Sequence, residues 1–305
     1  MYESFYGLKR SAFELSPDPR FFYPTPSHNE ALAILSYGVM RRKGFVVVTG
    51  EVGTGKTLLL RYLMEFMERN SIDFAFVHNP KLSVLDFLGY IVSDLQLSPG
   101  SKTKGELLAT LNDYLITRSR RGATTAIIVD EAHLLDPELL EEVRLLTNLE
   151  TSQHKLIQLV LVGQPELDEK LDSPGLRQLK QRVCLRSQLK PLTCEQSESY
   201  INRRLMLAGR KSPCAPIFTA AAIEAIYDLS HGIPRVINNL CENCLIFGYG
   251  KQMRQIPVET IREVALDLRL NRMSPPSVHG SSRAAVVGSV HDGAPVKFES
   301  QVGRQ

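Results

Sequence analysis

Two stretches carry residue types whose spacing could do chemistry. The first is the run Gly50, Glu51, Val52, Gly53, Thr54, Gly55, Lys56, Thr57, which reads G-x-x-x-x-G-K-[ST] and continues into Leu58. Its glycines let the loop curl so that successive backbone N–H groups point inward at an anion. A helix beginning at Thr57 adds the partial positive charge of its N-terminus. The ligand suited to such a cradle is a nucleotide polyphosphate. Lys56 then reaches the β- and γ-phosphates, and the Thr57 hydroxyl ligates Mg2+. Gly50 through Leu58 is the expected nucleotide-binding set, with ATP and Mg2+ as cofactors.

The second stretch is Ala126-Ile-Ile-Val-Asp130-Glu131-Ala-His133, an apolar strand ending in two carboxylates. The C-terminal end of a parallel strand is where α/β sheets place ligands. There Asp130 is expected to hold Mg2+, largely through water. Glu131 is expected to orient and polarise the attacking water. His133 carries no assignment on sequence grounds.

The surrounding elements must bring these stretches together. Phe45–Thr49, Phe74–His78, Ala126–Val129, Leu156–Val162 and Val183–Leu189 read as strands, several of them continuously apolar. Such runs fit parallel strands buried on both faces. Thr57–Arg69, Val84–Leu95, Lys104–Arg120 and Pro137–Leu149 read as amphipathic helices between them. The alternation predicts an α/β fold, a parallel sheet with flanking helices. After Pro191 the strand signal ends, and Glu195–Gly209, Thr219–Ser230, Pro234–Tyr249 and Pro257–Leu270 read as a small all-α lid domain.

The expected organisation is an N-terminal arm and first helix over 1–44, an α/β core over 45–190, a helical lid over 191–272 and a disordered tail over 273–305. The arm SPDPRFFYPTP is proline-rich and extended. Its helix is expected to start near Ser27, with Glu30 completing a capping box.

Composition excludes several classes. The chain has 305 residues, 36 Lys+Arg against 33 Asp+Glu, and a net charge of +3. That balance excludes a highly basic nucleic-acid coat, and 43% hydrophobic residues exclude a disordered chain. No apolar run approaches the ~18 residues that span a bilayer. Five cysteines are too few for a secreted disulfide framework, so the expected compartment is the cytoplasm.

The motifs together resemble the AAA+ class of P-loop NTPases, and within it the ExeA-type ATPases of the general secretion pathway. The residues carrying this resemblance are Met1–Gly7, Ser16–Tyr23, Gly44–Lys56, Asp130-Glu-Ala-His133, Val162-Gly-Gln-Pro-Glu-Leu167, His231-Gly-Ile-Pro-Arg235 and Ile237-Asn-Asn239. It covers roughly residues 1–270. The resemblance implies a Mg-dependent, ATP-hydrolysing motor or switch that serves secretion or polysaccharide export machinery. Gln164 matches the sensor-1 position and Arg235 the sensor-2 position. Arg182, with Arg177 as the alternative, matches the arginine finger offered to a neighbouring subunit, which implies a homo-oligomer. His78 or Asn79 matches the place from which some family members hold the catalytic glutamate idle. Phe21, Phe22 and Tyr23 either flank the adenine or pin the arm to the core.

The full-length family pattern continues into a membrane helix and a peptidoglycan-binding domain, so a short form is expected here. It would act peripherally at the inner membrane through a separate secretion or export component. The alternative reading is a DNA-associated transposition helper of the same AAA+ branch. A third is a nucleotide-dependent interaction switch with negligible turnover.

Two features are expected to be structural. Cys241-Glu-Asn-Cys244 lacks the further ligands a zinc site needs and lies in a helical pattern. The basic runs Arg41–Lys43, Arg118 with Arg120–Arg121, and Arg203–Arg204 are scattered, and read as solvated helix faces and ends rather than a nucleic-acid groove.

Overall fold

The structure, a computed structural model, describes residues 1–15, 19–151, 154–210 and 215–270. The elements run α1 (Tyr2–Phe5), α2 (Pro26–Met40), β1 (Phe45–Gly50), α3 (Lys56–Arg69), β2 (Asp73–Val77), α4 (Val84–Asp94), α5 (Lys104–Arg120), β3 (Thr125–Val129), α6 (Pro137–Leu146), β4 (Ile157–Gly163), α7 (Glu166–Asp172), α8 (Arg177–Lys180), β5 (Leu185–Leu189), α9 (Cys194–Leu207), α10 (Ala220–Ser230), α11 (Pro234–Gly250) and α12 (Val258–Asp267). This is the expected α/β arrangement followed by helices. The proposed tail over 273–305 lies outside the described residues.

The five strands form one parallel sheet in the order β2-β3-β4-β1-β5. Val47 of β1 pairs with Leu161 of β4, and Thr49 with Gly163. All six residues of β1 and all seven of β4 are buried. Successive side chains on a strand point to opposite faces, so a strand covered on both sides is mainly apolar. The buried Gln158 of β4 accepts the Gly44 N–H at 2.7 Å. Val46 and Val48 meet Leu35 of α2 and Leu59, Leu60 and Leu63 of α3 on one face. Phe45 and Val47 belong to the opposite layer, with Phe87, Leu88, Leu111, Leu115 and Leu140. Each such fully buried side chain contributes about 1.5–3 kcal/mol.

This topology brings the C-terminal ends of β1, β4 and β3 side by side. The loop at Gly50, the turn at Gln164 and the acids at Asp130 leave the sheet at one edge. The fold thereby converts three distant sequence stretches into one site.

A third core belongs to the helices after β5. Tyr200, Ile201 and Leu205 of α9 meet Ile223 and Ile226 of α10, Ile237, Leu240, Cys241 and Cys244 of α11, and Ile261 of α12. Tyr6, Leu8, Phe13 and Phe21 of the N-terminal segment are buried in the same cluster. The arm therefore contributes to the helical core, whereas α2 packs on the sheet. The first backbone bond of this graft runs from Lys9 N–H to Ala208 O at 2.7 Å.

Several boundaries differ from the sequence reading, β5 starting at Leu185 rather than Val183 and α6 ending at Leu146 rather than Leu149. Helix α2 starts at Pro26 behind an N-cap at Thr25, whose hydroxyl accepts the His28 N–H. Proline at the first helical position suits its fixed φ, and this places the start before Ser27. Helix α12 starts at Val258, with Pro257 as its N-cap rather than its first residue.

Candidate nucleotide site

The phosphate-loop motif lies between β1 and α3. Gly53 and Gly55 take left-handed φ values of +83° and +102°. Gly55 caps α3 with no side chain bonded to its first turn, which leaves those N–H groups available for a ligand. Lys56 is only 6% exposed, and its ammonium donates to Gly50 O at 2.8 Å and Glu51 O at 3.0 Å. Burial pulls its pKa down, against the opposing pull of Glu131, Asp130 and Glu51. The Thr57 residue is exposed at the start of α3.

Asp130 is 5% exposed just beyond β3, and one of its carboxylate oxygens accepts the Glu131 N–H at 2.8 Å. Burial raises its pKa, and the adjacent Glu131 charge adds to that rise. Glu131 has φ +50°, a left-handed conformation uncommon outside glycine. Such local strain persists where surrounding structure enforces it. Glu131 Oε2 is buried without a hydrogen-bond partner. Two carboxylates side by side, one of them with an unsatisfied oxygen, form a donor set that calls for a cation.

Gln164 follows β4 directly. Its side-chain amide sits 2.8 Å from His133 Nε2. His133 Nδ1 lies 3.4 Å from Glu131 Oε2. His78, expected as a possible holder of Glu131, meets Phe76 and Tyr90 edge-on, and its charge lowers the Asp130 pKa. The Asn79 side chain accepts the Lys81 N–H at 3.3 Å. The histidine beside the Glu131 carboxylate is His133.

The helical region closes the site from the other side. The turn His231–Gly232 ends α10 and aims α11 at the phosphate loop. Gly232 has φ +72°, and a Cβ there would lie 2.0 Å from Leu192 O, so no side chain fits. Arg235, in the first turn of α11, donates its backbone N–H to Gly53 O at 3.2 Å. Its side chain is exposed, with no hydrogen bond or ion pair among the described residues.

A cavity of about 390 Å³ joins these parts. Val52 through Leu58, Glu131 and Arg235 line it together with Phe21, Phe22, Tyr23 and Leu192. The aromatic arm thus belongs to the site. Phe22 packs on His28 and Tyr62, and Tyr23 packs edge-on against Tyr200. A polar rear wall is formed by Tyr200, whose hydroxyl donates to Asn238 Oδ1 at 2.8 Å and accepts from Arg204 at 2.7 Å. Burial raises the Tyr200 pKa, which keeps this hydroxyl protonated.

Three of these residues escaped the sequence reading. His28 is 4% exposed, and its Nε2 lies 2.9 Å from Thr54 O, bracing the loop from α2. That contact requires a proton on Nε2, and Thr25 Oγ1 at 2.6 Å serves Nδ1. Arg204 corrects an expectation: it is not on a solvated face but 6% exposed. It donates to Ala12 O at 2.6 Å and lies 4.7 Å from the centre of the Phe21 ring. Asn238 was quoted only within the resemblance. Arg182, by contrast, is half-buried and donates to Thr147 Oγ1 at 2.8 Å, while Arg177 is exposed with no such bond. Neither lines this cavity.

Cys241 and Cys244 are buried and free, as expected of packing residues. Burial pushes the Cys244 thiol up to about 12. Among the described residues, no helix is long and apolar enough to cross a membrane.

A family model described as an AAA domain matches residues 39–171. General secretion pathway protein A of Aeromonas hydrophila is 42% identical over 259 residues, which is 84% of this chain and 46% of that protein. The chain thus spans about half the length of this relative. Drosophila ORC bound to DNA superposes with a TM-score of 0.65 at 16% identity, covering 85% of this chain and 64% of that one. Cdc6p of Pyrobaculum aerophilum gives 0.63 at 18% identity, covering 84% and 70%. At these identities the two structures establish the shared fold.

Proposed function

Because this chain belongs to the AAA+ P-loop family of the ExeA type, we propose that it binds ATP with Mg2+ and hydrolyses it to ADP and phosphate. One observation carries this reading: a buried Lys56 and the Asp130–Glu131 pair meet at a glycine loop with open helix N–H groups.

The residues present fit a divalent cation. Asp130 is a buried carboxylate, Glu131 Oε2 lacks a partner, and the Thr57 hydroxyl stands at the mouth of the loop. Asp130 and Thr57 would hold the ion. When bound, it neutralises charge on the phosphates and the leaving group.

The chain's own groups then divide the work. The loop N–H groups and the α3 N-terminus bind the polyphosphate. Lys56 exchanges two neutral carbonyl acceptors for charged phosphate oxygens, a stronger hydrogen bond. Glu131 orients the attacking water and accepts its proton. Gln164 and Arg235 detect the γ-phosphate. The base packs against the aromatic arm, whose Phe21, Phe22 and Tyr23 line the cavity. Arg235 links nucleotide state to the helical lid, because its backbone is already bonded to the loop at Gly53.

The protein acts as a homo-oligomer in this reading, with an arginine from a neighbouring copy completing the site. Its client is a secretion or polysaccharide export component at the inner membrane, approached from the cytoplasmic side. The support for that client is the likeness to general secretion pathway protein A.

Steady-state phosphate release tests the core of the proposal. Lys56→Ala is expected to lose ATP binding, and Glu131→Gln to bind ATP while hydrolysing it at least about a hundredfold more slowly. Equal rates for wild type and Glu131→Gln would defeat the assignment.

A further inference from the structure

We propose that His133 is a positioning residue whose ring couples Gln164 to the carboxylate of Glu131. The proposal rests on the ATPase reading above and adds a residue which that reading does not use.

The ring lies between the two groups. Gln164 approaches Nε2 at 2.8 Å, and Glu131 Oε2 faces Nδ1 at 3.4 Å. A Gln164 amide nitrogen that donates to Nε2 leaves the ring proton on Nδ1, on the side of the carboxylate. The Gln164 backbone N–H also donates to Nδ1 at 3.4 Å, which asks for the opposite tautomer. The shorter Nε2 contact and the facing carboxylate favour the Nδ1–H form. Among the described residues, Glu131 Oε2 has no hydrogen-bond partner, and the His133 ring faces it at 3.4 Å. A proton on Nδ1 would give that oxygen its donor and orient the carboxylate.

The ring itself is held. Lys170 donates to His133 O and, at 2.9 Å, to Leu135 O, which fixes the short turn Ala132–Leu134. The ring is 12% exposed, so it does not swing freely into solvent. Burial lowers its pKa; Glu131 and Glu166 pull it back up, and Lys56 and Lys170 down, and the net fall favours the neutral ring. A γ-phosphate that engages Gln164 must alter the amide on Nε2. The ring passes that change to the group that orients water.

A residue that only packs would be replaced by a ring of similar size. The test therefore compares His133→Ala, His133→Phe and His133→Asn in steady-state phosphate release with ATP and Mg2+. Both His133→Ala and His133→Phe are expected to lower kcat about tenfold or more, with KM changed by less than about twofold, the pattern of a lost transition-state interaction. His133→Asn keeps a donor near the Nδ1 position and is expected to recover at least about a third of the wild-type kcat. Wild-type kcat in His133→Phe, a change confined to KM, or an Asn variant as slow as Phe would each overturn the proposal. Wild type that releases no phosphate would overturn the ATPase reading, and this proposal with it.

A second measurement needs no turnover and no folded variant at position 133. Nitrogen chemical shifts of the His133 ring in nucleotide-free protein are expected to show the Nδ1–H tautomer. Gln164→Ala is expected to restore the Nε2–H form that free imidazole prefers. An Nε2–H ring in wild type, or a spectrum unmoved by Gln164→Ala, would overturn the coupling.

Discussion

The backbone of Arg235 is bonded to the phosphate loop at Gly53, N–H to O at 3.2 Å, and the two residues are packed without room to spare. A Cβ on Gly53 would stand 2.5 Å from Arg235 Cβ and 3.1 Å from Ile233 Cγ2. The loop and the first turn of α11 therefore move as one contact. Gly53→Ala must both enter a left-handed conformation and push the turn away. We expect a loss of at least about 1 kcal/mol in stability, with weakened ATP binding, read by thermal melting and by titration of a fluorescent ATP analogue. An unchanged affinity would show that the lid turn is not held by this contact.

His28 gives a pH prediction. Burial lowers its pKa from the ordinary 6.5, so the folded state prefers the neutral ring while the unfolded chain takes up a proton more readily. With more protons bound in the unfolded state, stability rises with pH. The contribution is present above about 6.5 and is lost as pH falls below it. His28→Gln can keep a donor toward Thr54 O without titrating. We expect its melting temperature to fall less than that of wild type between pH 7.5 and 5.5, while ATP affinity at pH 7.5 is retained.

Arg204 ties the N-terminal segment to α9 through Ala12 O and the Tyr200 hydroxyl. Removing a buried guanidinium leaves both acceptors short of a donor. Arg204→Ala is expected to cost at least about 2 kcal/mol. Arg204→Lys should recover little of this, because an ammonium lacks the planar fork. Chemical denaturation curves measure both, and a Lys variant as stable as wild type would contradict the geometry.

The two candidate finger arginines separate cleanly. Arg182 donates to Thr147, whereas Arg177 is exposed without such a bond. Arg177→Ala is expected to lower turnover without altering ATP affinity, and mixing it with Lys56→Ala should restore part of the lost activity. Arg182→Ala is expected to lower the melting temperature instead. A mixture as inactive as its components would argue against a shared site.

Much of this was legible in the sequence, for identifiable reasons. The phosphate loop and the Asp130–Glu131 pair are contiguous motifs, so their chemistry travels with local spacing. Strands β1 and β4 announced themselves by largely apolar runs, broken only by Thr49 and Gln158, as a sheet covered on both faces demands. His28 was not legible, because its partner Thr54 is 26 residues away and is met only once α2 packs against the loop. Arg203 and Arg204 look equivalent as neighbours, yet helical geometry turns one outward and one into the core. The start of α2 was misplaced because Ser27 and Glu30 imitate a capping box, while Thr25 and Pro26 form the real boundary. His133 had no readable role because its two partners come from different strand ends.

The N-terminal segment has a consequence for how the chain is made. Tyr6, Leu8 and Phe13 find their partners in helices whose last members lie beyond residue 240. During synthesis these side chains leave the ribosome long before their partners exist. The sheet, whose strands end at Leu189, can close first. The opening residues must wait, apolar and uncovered, until α11 and α12 emerge, which makes this segment the natural target of a chaperone and a poor place to attach a bulky fusion.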